Sequence, residues 1–177
     1  MRKSVPLSSV YQLLEPGPVV MVTASCDGKD NVMTLSWHMM IDFEPPVLGC
    51  VISNRNYTFD MIKKTKECVI NIPTADLIKK VVGIGNISGK KINKFKKFDL
   101  LKESGEKVQV PLLSECYSSL ECKVIDMTMA LKYNIFILQV VKAWIRPRKK
   151  RALMIHHCGK GKFVIDGKIV KLLSKKK

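Results

Sequence analysis

The chain has 177 residues, 46% of them hydrophobic and 26% charged, a balance that excludes a disordered polymer and suits a single domain, residues 1–177, with its own core. Its longest apolar runs, such as IFILQVV, fall far short of the ~20 residues of a membrane-spanning helix, and MRKSVPLSSVYQLLEPGP lacks the apolar stretch of a signal peptide, so a cytoplasmic protein without membrane association is expected. A formal charge of +16 points to anionic partners (nucleotides, phosphates, nucleic acid or acidic proteins) without choosing among them; much of it sits in runs read as solvated, KKINKFKK and the tail SKKK.

In chain order, VVMVTAS reads as a buried strand, and Asp27-Gly28 is a strong turn signal leading into NVMTLSW, so the two form a hairpin. In the second strand Met33, Leu35 and Trp37 alternate with Val32, Thr34 and Ser36. Alternate side chains of a strand point to opposite faces, so one face is apolar and the other carries two hydroxyls. Those hydroxyls face either water or a polar ligand. HMMIDFEPP follows and is expected to be irregular at Pro45-Pro46, before VLGCVIS as the next buried strand.

NRNYTFDMIKKT reads as a loop entering a short helix with Phe59 and Ile62 inward, and ECVINIP as a strand. Thr74 is placed to cap the helix ADLIKKVVGIG, where Leu77 with Val81 and Ile78 with Val82 give the spacing of a buried stripe. ISGKKINKFKKF reads as a loop and short helix with Ile92 and Phe95 inward. Two long strands follow, SSLECKVIDMTMA and the more central YNIFILQVVKAWI. In KFVIDGKIVKL, Asp166-Gly167 signals a second hairpin. Six to eight strands with two or three short helices suit a mainly β fold: a small closed or nearly closed barrel with helices on its outside.

Motifs that would announce chemistry are missing. There is no phosphate loop, and GIGNISG follows a helix rather than a strand, so it is not a dinucleotide fingerprint. His156, His157 and Cys158 are adjacent residues that a strand would point opposite ways, with no fourth ligand in sight, so no metal site is assigned. The six cysteines form no C-x-x-C, and Cys50, Cys68 and Cys122 sit in apolar runs as small buried hydrophobes. With no catalytic side chain evident, an enzyme built on this chain would draw its chemistry from a cofactor.

The ordered series PGPVVMVTA, NVMTLSWHMMIDFEPPVLGCVIS, NRNYTFDMI, ECVINIPTADL, GNISGKKINKF, LECKVID and GKGKFVIDGKIV resembles the flavin reductase-like family of FMN-binding split barrels that includes flavoredoxin, over about residues 16–170. The resemblance implies a Greek-key split β-barrel homodimer. It implies FMN with its ring against the first strands and its phosphate at a basic, hydroxyl-rich loop. On that basis Met33, Thr34, Leu35, Ser36 and Trp37 are candidates for ring contacts. Ser53, Asn54, Arg55 and Thr58, at the start of a helix, are candidates for the phosphate, and Ser88 and Lys94 for further contacts. HHCGKGKF departs from the Gly-richer family version, which leaves His156 without an assigned contact.

The expected function is hydride transfer from NADH or NADPH to FMN, by positioning two rings rather than by acid–base chemistry. The alternative is a tightly bound FMN carrier exchanging electrons with an acidic redox protein. A third reading takes KAWIRPRKKR as a nucleic-acid grip; single-strand binders interleave several aromatics, and only Trp144 is present, so a solvated loop is preferred. Asp42 and Glu44 flank a Pro-Pro turn and are not read as a catalytic pair.

Overall fold

The computed structural model describes residues 1–173; the basic tail SKKK lies outside the described residues. The chain enters as β1 (Lys3–Val5) and α1 (Tyr11–Leu14), then forms the hairpin β2 (Val20–Cys26) and β3 (Lys29–Leu35). Asp27 and Gly28 both have positive φ, the conformation a two-residue hairpin turn with right-handed strand twist requires. β4 (His38–Phe43) and β5 (Pro46–Val51) follow, then α2 (Tyr57–Thr65), β6 (Glu67–Ile72), α3 (Ile78–Gly85) and α4 (Lys94–Lys97). Short β7 (Lys102–Glu103) and β8 (Leu112–Leu113) pair with each other. β9 (Ser118–Asp126), α5 (Thr128–Tyr133) and β10 (Ile135–Ile145) complete the main sheet, and β11 (Ile155–His157) with β12 (Phe163–Ile165) forms a separate ribbon.

Eight strands make one antiparallel sheet in the order β3-β2-β6-β9-β10-β5-β4, with β1 beside β10. The sheet curls around one core: Val20 and Val22 of β2, Leu48 of β5, Ile70 of β6, Leu120 of β9 and Phe136 of β10 belong to the same buried cluster. Its two ends, β3 and β4, are joined only through Ser36 and Trp37, so the curl is left split there. β10 is central, as its continuous apolarity implies, pairing with β9 on one side and with β5 and β1 on the other.

Helices occupy two places. α3 and α4 lie outside the barrel, where Val81, Ile84 and Phe95 pack on Val32 and Met21. α1, α2 and α5 pack into the barrel cluster through Leu13, Phe59, Ile62 and Ala130, which corrects the expectation that all helices sit outside. Two partners of the buried stripe also change. Val82 is exposed and the buried residues of α3 are Val81 and Ile84; Ile92, in the following loop, is exposed too. Thr74 precedes the helical turn, but its hydroxyl bonds the Asp76 carboxylate and does not cap the backbone.

HMMIDFEPP is largely a strand, β4, and the two prolines act only at its end, with Pro46 opening β5. Asp166-Gly167 is not a hairpin turn. β12 pairs backwards with β11 through the turn Gly159-Lys160-Gly161, all three at positive φ. Asp166 instead accepts from the Met154 amide and bonds His156, which draws the chain away from a second alternating strand. Cys50, Cys68 and Cys122 are buried as small hydrophobes. No helix among the described residues is long and apolar enough to cross a membrane.

A groove between β3, α2 and α3

β3 ends the sheet, so backbone groups on its outer side have no strand partner. Its side chains alternate as the sequence requires. Leu35 enters the barrel core, with Met33 packed against it, while Val32 and Thr34 face α3. The Thr34 hydroxyl donates to the Val81 carbonyl at 2.7 Å, leaving its oxygen lone pairs as acceptors. Beside it a cavity of about 290 Å³ is lined by Thr34, Ser36, Val82 and Asn86, with His157 and Phe163 of the β11–β12 ribbon as its outer wall. The rings of His157 and Phe163 lie 5.1 Å apart, which holds that wall together.

The cavity meets a second, of about 230 Å³, at Gly85 and Asn86. This end is lined by Asn31, Met33, Arg55, Thr58, Ser88 and Lys94. The N-terminus of α2 arrives here after the extended residue Asn56, with Phe59 and Ile62 anchoring the helix in the core. Asn56 makes no side-chain cap, so N–H groups of the first turn are left for another acceptor. Buried Asn31 donates to the Thr58 hydroxyl at 2.9 Å and ties β3 to α2. Gly89 closes against Asn31: a Cβ on Gly89 would stand 2.0 Å from Asn31 Oδ1.

Lys94 sets the width of this end. Within a run read as solvated it is only 4% exposed, and its ammonium donates at 2.9 Å to both the Val32 and Ile84 carbonyls. It thereby joins β3 to the negative C-terminal end of α3, with a third N–H to spare. Burial pulls its pKa down to about 8. Arg55 is exposed and forms no ion pair with any described residue, and no carboxylate lines either cavity. The groove thus grades from hydroxyls and apolar walls to uncompensated positive charge.

Residues 13–163 match the flavin reductase like domain family. The chain belongs to that family. An uncharacterized protein of Archaeoglobus fulgidus is 36% identical over 113 residues, a match that spans 64% of this chain and 64% of its own length. Escherichia coli YddH is 27% identical across 94% of this chain and 95% of its own. A crystallised FMN-binding domain of a flavin reductases-like enzyme from Shewanella baltica superposes with a TM-score of 0.89 at 28% identity, covering 97% of both chains. Flavoredoxin of Desulfovibrio vulgaris (Miyazaki F) shares the fold, with a TM-score of 0.80 at 19% identity over 90% of this chain and 91% of its own. The fold is therefore the mainly β split barrel of flavin reductase-like proteins, with short helices.

The structure gathers Met33, Thr34, Ser36, Arg55, Thr58, Ser88 and Lys94 along one groove. Four sequence candidates lie elsewhere. The Leu35 side chain is in the barrel core, and Trp37 projects outward, 71% exposed. The Ser53 hydroxyl accepts from the Arg55 amide, and the Asn54 amide donates to Asn134, so both shape the loop leading to Arg55. Sequence reasoning missed Asn31, Asn86, His157 and Phe163. Asn31 opens the same strand segment, two residues before Met33, and is a polar residue on the face that Met33 and Leu35 share. His157 and Phe163 are brought in by the ribbon pairing, which Asp166-Gly167 obscured. His156 is held away from the groove by bonds to Asp166 at 2.9 Å and the Gly17 carbonyl at 3.1 Å. Among the described residues no cluster of His, Cys, Asp and Glu suits a metal ion.

Proposed function

We propose that the groove holds flavin mononucleotide and that the protein is an FMN-dependent oxidoreductase taking hydride from NADH or NADPH. The observation carrying this reading is the gradient along one groove, from Thr34 and Ser36 to Arg55 and Lys94. The donor set fits the cofactor. A planar polar ring needs hydrogen bonds along its edge and apolar faces above and below. The free edge of β3, the Thr34 and Ser36 hydroxyls, Val82 and Phe163 meet those needs. A phosphate dianion needs fixed cations and N–H donors. Arg55, Lys94 and the uncapped start of α2 meet those.

When bound, FMN supplies the hydride-accepting and electron-passing chemistry. The chain's own part is positional. Lys94 fixes the spacing of β3 and α3, Arg55 neutralises the anion, and the His157–Phe163 wall limits water on one side. No side chain in the groove is required to move a proton. The six cysteines, all unpaired, fit a reducing, cytoplasmic compartment.

A second reading is a tightly held FMN carrier that trades electrons with an acidic redox protein, which the +16 charge favours. Anaerobic mixing of the FMN-loaded protein with NADH and with NADPH separates the two. Bleaching of the yellow absorbance supports hydride uptake. Absorbance unchanged by either nucleotide, yet bleached by a reduced electron-transfer protein, supports the carrier instead.

The working unit we infer is a homodimer. Met39, Ile41 and Phe43 project from the outward face of β4 beside Trp37, each about half exposed or more. An edge strand with such a face is what a second copy covers.

A further inference from the structure

A cavity of about 510 Å³ opens on the segment after β10 and shares no lining residue with the groove. Arg146, Arg148, Lys149, Lys150 and Arg151 line it with a single carboxylate, Asp166. Tyr117, Met154 and Ile169 add aromatic and apolar lining.

The arginines are each held by an acceptor. Arg146 pairs with Glu103, Arg148 reaches Asp76 at 3.6 Å and the Glu115 carbonyl at 3.3 Å, and Arg151 reaches Asp166 at 3.6 Å. Each guanidinium carries five N–H donors, so these contacts fix its plane and leave donors over. Lys149 and Lys150 are exposed and form no ion pair with any described residue. The two lysines thus leave a local excess of positive charge beside the paired arginines, which a multivalent anion would neutralise. A volume in the range of small-molecule sites suits a ligand of bounded size, and the half-buried Tyr117 beside apolar side chains suits a planar body. A nucleic-acid strand would need a row of stacking platforms, and the cavity offers one ring.

We propose that this cavity is a second site that binds a nucleoside diphosphate, either free or as half of a dinucleotide, with its phosphates on the 146–151 cations and its base toward Tyr117 and Ile169. The site is independent of the flavin groove.

The test is calorimetric titration of the full chain with ADP in the presence of excess FMN, repeated with adenosine and with inorganic pyrophosphate. The proposal expects saturable binding of ADP at one per chain, weaker binding of pyrophosphate and none of adenosine. Lys149→Glu/Lys150→Glu is expected to weaken ADP by at least about tenfold, with Lys149→Gln/Lys150→Gln weakening it in the same direction by less. Arg55→Ala is expected to leave ADP affinity unchanged. NADH displacing ADP identifies a dinucleotide as the source; failure of NADH to displace it identifies the free nucleotide. Absence of ADP binding, equal affinity for pyrophosphate, sensitivity to Arg55 rather than to the lysine pair, or tight binding of a single-stranded oligonucleotide that ADP does not displace would overturn the proposal.

Discussion

A buried ammonium with two backbone partners is the residue on which the groove turns. Lys94→Met removes both bonds, and a loss of about 1–3 kcal/mol in unfolding free energy is expected by urea denaturation. The titration of Lys94 gives a second readout. Its folded pKa of about 8 lies below the ordinary 10.5, so between these values the unfolded chain holds the extra proton and stability rises with pH. The Met variant should lose that slope. Because deprotonation removes positive charge beside the phosphate end, FMN affinity should fall as pH passes about 8, while riboflavin, which has no phosphate, should show no such fall; fluorescence titration of both ligands decides it. Gly89→Ala acts through space alone. Its Cβ would displace Asn31 and break the Asn31–Thr58 bond, so weaker FMN binding is expected with a loss of about 1–3 kcal/mol in stability. Glu121, fully buried, gathers the amides of Glu106, Lys107 and Val108 and the Trp144 indole at 2.6–3.1 Å. Glu121→Ala leaves those donors unpaired and should lower stability by roughly 3 kcal/mol without touching the groove.

Elements were legible where local pattern and tertiary role agree. The Asp27-Gly28 hairpin, the alternation of β9 and the continuous apolarity of β10 each follow from a period and a turn residue, and the structure keeps all of them. β4 was obscured by two prolines that in fact stand at its exit, where the missing N–H is tolerated. The β11–β12 ribbon was obscured because Asp-Gly resembles a hairpin turn, while the actual turn uses Gly159 and Gly161. Asp166 shows why. Burial opposes its ionisation, but bonds from His156 and the Met154 amide, with Arg151 nearby, outweigh that and hold its carboxyl below the ordinary range. The groove was half legible for the same reason: Thr34, Ser36 and Arg55 lie in local patterns, whereas Asn31, His157 and Phe163 arrive by long-range pairing. Asp166→Ala should loosen the ribbon, and the check is faster amide exchange at Ile155–His157 with less change in the barrel strands.

For the whole molecule, the start of β4 is tied to the segment before β2 by His38, whose Nε2 bonds the Pro18 carbonyl at 2.7 Å while Nδ1 is buried without a partner among the described residues. Burial lowers its pKa below the ordinary 6.5, so stability present above that value is lost as pH falls through the folded pKa. His38→Gln should flatten that part of the acid dependence, read from urea midpoints above pH 6.5 and progressively below it. The apolar face of β4 predicts a dimer by sedimentation, and Ile41→Lys should shift it toward monomer. Whether the groove holds FMN is decided by equilibrium titration of the flavin-free chain with FMN. Saturable binding at one FMN per chain is expected, weakened at least about tenfold by Arg55→Ala. A folded chain that takes up no FMN, or binds it equally well without Arg55, would contradict it.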